Sequence, residues 1–113
     1  ERERLEALGA DVCLVPADQD GMLSLPAVLQ ALHARGVERL MVEGGAKVLT
    51  SFLRQRLADE ATIEIAPQLF GAQGLCALGC VKENPTHPTP RLWPVTVERA
   101  GESVLVRGPI VYS

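Results

Sequence analysis

The chain has 113 residues, of which 47% are hydrophobic and 22% charged, and a net charge of −3 at pH 7. That length suits one domain with its own core, and the balance excludes a disordered tail. Scattered basic residues and 4% aromatic content offer neither a phosphate-backbone patch nor a stacking platform, so no nucleic-acid partner is expected; no apolar run approaches the roughly 20 residues of a membrane span, and without a signal-peptide pattern the chain reads as cytoplasmic.

Residues 1–8 have the pattern of the last turns of a helix, which Gly9 terminates. A domain seldom opens this way, so the chain is expected to be a segment of a longer protein. Residues 12–15, Val-Cys-Leu-Val, form a short apolar run before Pro16 and read as a buried strand. Asp20-Gly21 marks a turn. Ser24 is placed to cap a helix over 25–35 in which Leu25, Val28, Leu29 and Leu32 form one stripe and Gly36 provides the stop. A second buried strand is expected over 39–42, and helical spacing resumes with Val48, Leu49, Phe52, Leu53 and Leu57. Strand, helix, strand, helix at these lengths predicts crossover connections and a parallel core.

The pattern changes after Asp59 and Glu60. Residues 62–65, Thr-Ile-Glu-Ile, alternate as a strand with one covered face does. Residues 67–79 are rich in glycine and 84–94 hold four prolines, so both read as loops, with Trp93 expected as a packing anchor. Residues 95–98 and 104–107 flank a turn at Ala100-Gly101-Glu102 and predict an antiparallel hairpin. The expected fold is therefore α/β, a parallel strand-helix core closed by that hairpin in a mixed sheet.

The segment with most chemical content is 40–52, LMVEGGAKVLTSF, where an apolar run ends in an acid and two glycines and a helix begins at once. Such a turn gathers backbone N–H groups and the positive end of a helix dipole at one point, where an anion such as phosphate is favoured. Glu43 stands just beyond the strand, where ligands of open α/β sheets collect. The bland alternatives are a tight connection at Gly44-Gly45, a solvated or capping acid at Glu43, and an exposed helix residue at Lys47. Neither GxGxxG nor GxxxxGK[ST] is present. Cys13, Cys76 and Cys80 fit no disulfide framework, and His33 and His87 lie at no finger-like spacing from them, so no metal site is expected.

The longer run GVERLMVEGGAKVLTSFLRQRLADEATIEIAPQLFG, residues 36–71, resembles the reductase domain of the bifunctional riboflavin-biosynthesis deaminase/reductase. The family pattern of a glycine, an apolar strand ending VEGG, a leucine-bearing helix, a DE pair and an IAP-L-G segment recurs here in order. The resemblance implies a dihydrofolate-reductase-like domain that uses NADPH to reduce the ribosyl group of 5-amino-6-(5-phosphoribosylamino)uracil to ribityl. It implies that Glu43 contacts the substrate and that Gly44, Gly45, Ala46, Lys47, Val48, Leu49, Thr50 and Ser51 line the NADPH site. In such enzymes the hydride chemistry belongs to the cofactor, so no general acid or base is nominated. Homodimerisation is a family trait.

The same resemblance implies that the domain is partial. The family's first strand, substrate loop and further nucleotide loop have no counterpart in residues 1–113, nor does the zinc deaminase half, so the piece alone is expected to be inactive. Another dihydrofolate-reductase-like pyrimidine or pterin reductase, or a non-catalytic assembly module of the same fold, are the alternatives.

Overall fold

The computed structural model describes residues 1–81, 86 and 88–113. They divide into two compact units, Glu1–Met41 and Val42–Ser113. Part of the loop expected over 84–94, and His87, lie outside the described residues.

The first unit holds helices α1 (Arg2–Ala7) and α2 (Leu25–His33). Both end as their glycines require. Gly9 and Gly36 adopt φ of 86° and 83°, which lets Ala10 N–H reach the Leu5 carbonyl (3.0 Å) and Val37 N–H the Leu32 carbonyl (3.1 Å), a bond pattern that satisfies carbonyls the helix leaves open. Ser24 precedes α2 with extended ψ but makes no side-chain cap bond, and Pro26 occupies the first turn, where no N–H is needed. Between the helices Asp18 organises the turn: its Oδ1 accepts the N–H groups of Asp20 and Met22, and Ala17 bridges Leu23. Arg35 donates to Asp11 at 2.9 Å across the surface of the unit.

The second unit holds helix α3 (Ala46–Arg54), strands β1 (Glu60–Ile65), β2 (Arg91–Leu92), β3 (Thr96–Ala100) and β4 (Ser103–Val111), and a short 3₁₀ turn at Gly71–Gln73. β4 is the organising strand. β1 pairs with it on one side, with Ile63 opposite Val106, and β3 on the other, with Val97 opposite Val106. The β3–β4 turn is the two residues Gly101-Glu102, and φ of 62° at Gly101 alone has the sign pattern of a type II′ hairpin.

β2 continues β3 along the same edge with one extra residue between them: Leu92 faces Ile110, Trp93 N–H bonds the Pro109 carbonyl, and Thr96 faces Arg107. This bulge brings the Pro94 carbonyl against Gly108, where a Cβ would collide with the carbonyl oxygen, so only glycine fits. Alternation then sorts the faces. Ile63, Ile65, Val97, Val104 and Val106 share one, while Thr62, Glu64, Thr96, Glu98 and Arg107 share the other. Arg107 ties that polar face together, donating to Thr62 Oγ1 at 3.2 Å with Glu98 at 3.9 Å.

Three expectations need correction. The parallel core is not observed: among the described residues every strand ladder is antiparallel, and 12–15 and 39–42 form no strand. Leu14 is 76% and Met41 80% exposed, so these apolar runs have strand composition but find no backbone partner. The helix expected to reach residue 35 stops at His33, because the bonds that terminate it at Gly36 use residues 34 and 35 as the closing turn. Trp93 is not a buried anchor either; it is 60% exposed with the Arg91 guanidinium 6.0 Å from its ring centroid.

Candidate functional site

Gly44 and Gly45 form the turn into α3 with φ of 68° and 75°. That left-handed conformation, disfavoured for residues with a Cβ, is why two glycines stand here; a Cβ at either would meet nothing within 4 Å, so backbone conformation rather than space sets the requirement. The turn therefore presents an open, side-chain-free approach to the start of the helix. Gly45 is the N-cap, and its carbonyl accepts the first helical bond from Leu49 N–H at 3.2 Å.

The first-turn amides of Ala46, Lys47 and Val48 have no intrahelical partner by the geometry of any helix start. Here no side chain caps them, and no acidic residue lies in the first turn. The positive end of the dipole is thus left for an anion, with Lys47 exposed beside it. Glu43, exposed, immediately precedes the glycines, so a carboxylate acceptor and a set of N–H donors lie within one short turn.

The helix is held from its other face. Phe52 is 7% and Thr50 8% exposed, Leu49, Ser51 and Leu53 are half-buried, and Val48 is exposed. The two hydroxyls turn back onto the helix: Thr50 Oγ1 donates to the Ala46 carbonyl, and Ser51 Oγ to the Lys47 carbonyl at 2.9 Å. Beyond Arg54 the chain closes with Leu57 N–H on the Phe52 carbonyl, through Arg56 at φ 55°. The Arg56 guanidinium lies 6.0 Å from the Tyr112 ring centroid, and Tyr112 Oη donates to the Ala58 carbonyl at 2.8 Å. Burial and the neighbouring Asp59 carboxylate push the Tyr112 phenol above its ordinary pKa of 10.0.

The structure also brings to this helix a residue that the sequence did not nominate. Gly79 N–H donates to Thr50 Oγ1 at 2.8 Å, across 29 positions. No local pattern signals it, since Gly79 lies in an aperiodic loop. Other chemistry is sparse. Cys13, Cys76 and Cys80 are exposed and outside any disulfide, and among the described residues no group of three or more His, Cys, Asp or Glu is placed to hold a metal ion. A shallow hollow lined by Thr96, Glu98 and Arg107 is occupied by the polar network of the sheet. No helix among the described residues is long and apolar enough to cross a membrane.

Comparison with known proteins gives this turn a context. The profile of a family described as RibD C-terminal domain matches residues 1–106. The 2,5-diamino-6-ribosylamino-4(3H)-pyrimidinone 5′-phosphate reductase of Aquifex aeolicus is 34% identical over 76 residues, covering 67% of this chain and 33% of that protein. The protein of the same name from Archaeoglobus fulgidus is 43% identical over 51 residues, 45% of this chain and 23% of the relative. The riboflavin biosynthesis protein RibD of Aquifex aeolicus is 29% identical over 104 residues, 92% of this chain and 27% of the relative. The matched region spans a third or less of each of these curated relatives. The chain belongs to the RibD C-terminal domain family.

Proposed function

We propose that this chain is part of an NADPH-dependent reductase of riboflavin biosynthesis, working within a longer parent protein of dihydrofolate-reductase-like fold. The observation that carries the proposal is the Glu43-Gly44-Gly45 turn opening onto an uncapped helix start, in a chain whose named relatives are ribosylaminopyrimidine reductases. NADPH fits this turn: its phosphates want N–H donors, an open approach and no nearby acid in the helix, and residues 44–48 supply all three. When bound, NADPH supplies the hydride.

The division of labour follows from the chemistry of the groups. Gly44, Gly45, Ala46, Lys47 and Val48 hold cofactor phosphate through main-chain amides, with Lys47 adding a compensating charge. Leu49 and Ser51 continue the cofactor wall, with Thr50 buried behind it. Glu43 accepts hydrogen bonds from ribosyl hydroxyls or ring N–H groups of the substrate and so orients the sugar towards the nicotinamide. The reaction converts a phosphoribosylamino group to its ribityl counterpart. Two substrates fit this reading. One is 5-amino-6-(5-phosphoribosylamino)uracil, and the other, favoured by the names of the reductases of Aquifex aeolicus and Archaeoglobus fulgidus, is 2,5-diamino-6-ribosylamino-4(3H)-pyrimidinone 5′-phosphate. The parent is read as a cytoplasmic homodimer.

NADPH oxidation by the full-length protein, followed at 340 nm with each pyrimidine in turn, tests the proposal. Turnover with either one supports it and identifies the substrate; turnover with neither, together with no saturable NADPH binding, refutes it. Glu43→Gln is expected to raise the KM for the pyrimidine more than that for NADPH. The reverse order contradicts the assignment of Glu43 to the substrate.

A further inference from the structure

Thr50 lies among the residues expected to line the cofactor site, yet its hydroxyl has little left to offer a phosphate. A threonine hydroxyl has one proton to donate, and here it goes to the Ala46 carbonyl. One lone pair accepts Gly79 N–H at 2.8 Å, and the side chain is buried. A phosphate needs donors, so a direct contact would require breaking the bond to Ala46. The arrangement instead connects two things: the first residue of α3, whose own N–H faces the proposed anion site, and the main chain of a loop from a distant part of the sequence.

That loop is open to solvent over residues 71–80. Leu75 is fully exposed, and Cys76, Leu78 and Cys80 are exposed as well. The bond to Thr50 ties it to α3 at Gly79, and this part-buried link loses its acceptor if the hydroxyl is removed. Gly79 lies close against Thr50, with the place of a Cβ 3.4 Å from Oγ1 and 3.8 Å from Cγ2.

We propose that Thr50 is a positioning residue, which pins the loop at Gly79 to α3 one turn beyond the cofactor-facing amides and so fixes one side of the NADPH site. The proposal rests on the cofactor reading given above and deepens it. It assigns Thr50 a role through Gly79 and Ala46 rather than through contact with cofactor.

The test is NADPH titration and steady-state kinetics on the full-length protein with wild-type, Thr50→Val and Thr50→Ser chains. Thr50→Val keeps the shape but removes the hydroxyl, and is expected to raise the NADPH Kd and KM about tenfold, with kcat at saturating NADPH within about twofold of wild type. Thr50→Ser restores the hydroxyl and should return binding to within about twofold. Amide hydrogen exchange on the wild-type protein provides a readout that does not depend on a variant folding: NADPH should slow exchange at Gly79. Four results overturn the proposal. They are wild-type affinity in Thr50→Val, failure of Thr50→Ser to rescue, a fall in kcat equal to the rise in KM with a lowered melting temperature, or Gly79 exchange indifferent to NADPH. If the wild-type protein shows no saturable NADPH binding, the cofactor reading fails and this inference with it. Normal wild-type binding with an unaffected Thr50→Val removes the inference alone.

Discussion

Residues 12–15 and 104–107 are nearly the same kind of peptide, Val-Cys-Leu-Val and Val-Leu-Val-Arg, and they meet opposite fates. The first joins no ladder among the described residues, with Cys13 and Leu14 exposed and Val12 and Val15 part-covered. The second sits at the centre of β4, with β3 on one side and β1 on the other. The difference lies in what is near each in sequence. β4 has its first partner two residues away, across the Gly101-Glu102 turn, so pairing closes a minimal loop, and the paired hairpin then offers an edge to β1. Residues 12–15 have no such neighbour. A parallel partner requires a crossover, and within Glu1–Met41 the other apolar segment, 39–41, makes no ladder with it. Apolar composition states that a segment is suited to a sheet; the ladder depends on a second backbone arriving in register.

Substitutions can break that contrast, beginning with the most severe. Gly108→Val forces a side chain against the Pro94 carbonyl at the bulge and is expected to cost about 2–3 kcal/mol, seen as a lowered urea midpoint. Gly101→Val puts a β-branched residue at φ 62° and should cost about 1–2 kcal/mol while leaving the strand residues untouched. Tyr112→Phe removes the bond to the Ala58 carbonyl that fastens the end of β4, at about 1 kcal/mol. The same change has a pH signature. The folded-state phenol has a pKa above its unfolded value of 10.0, so the protein keeps this stability in full below pH 10 and loses it as pH rises through the folded pKa. Unfolding followed from pH 9 upward should show that decline in wild type and not in Tyr112→Phe. Leu14→Ser, in the unpaired run, is expected to change stability by less than about 0.5 kcal/mol. A large loss there would mean that 12–15 is paired after all.

What was legible in the sequence was local. The stops at Gly9 and Gly36, the Asp20-Gly21 turn, the amphipathic helices and the 101–102 hairpin follow from backbone preference and periodicity within a few residues, and each is found. The bulge at Pro94-Val95 and the double role of β4 were not legible, because both depend on register between segments rather than on either segment alone. The site divides in the same way. Glu43 and the glycine pair are contiguous, and the helix that follows them could be read directly. Gly79 could not, since its tie to Thr50 crosses 29 positions and involves a backbone N–H that any residue but proline carries.

The central claim is that the amides behind Gly45 hold cofactor phosphate, and the most direct test is NADPH titration of the full-length protein carrying Gly45→Val. A side chain at this open turn, on a backbone that itself resists φ of 75°, should weaken NADPH at least about tenfold while the melting temperature falls by only a few degrees, as expected for a cost of about 1–2 kcal/mol. Wild-type affinity for NADPH in a folded Gly45→Val protein would contradict the account.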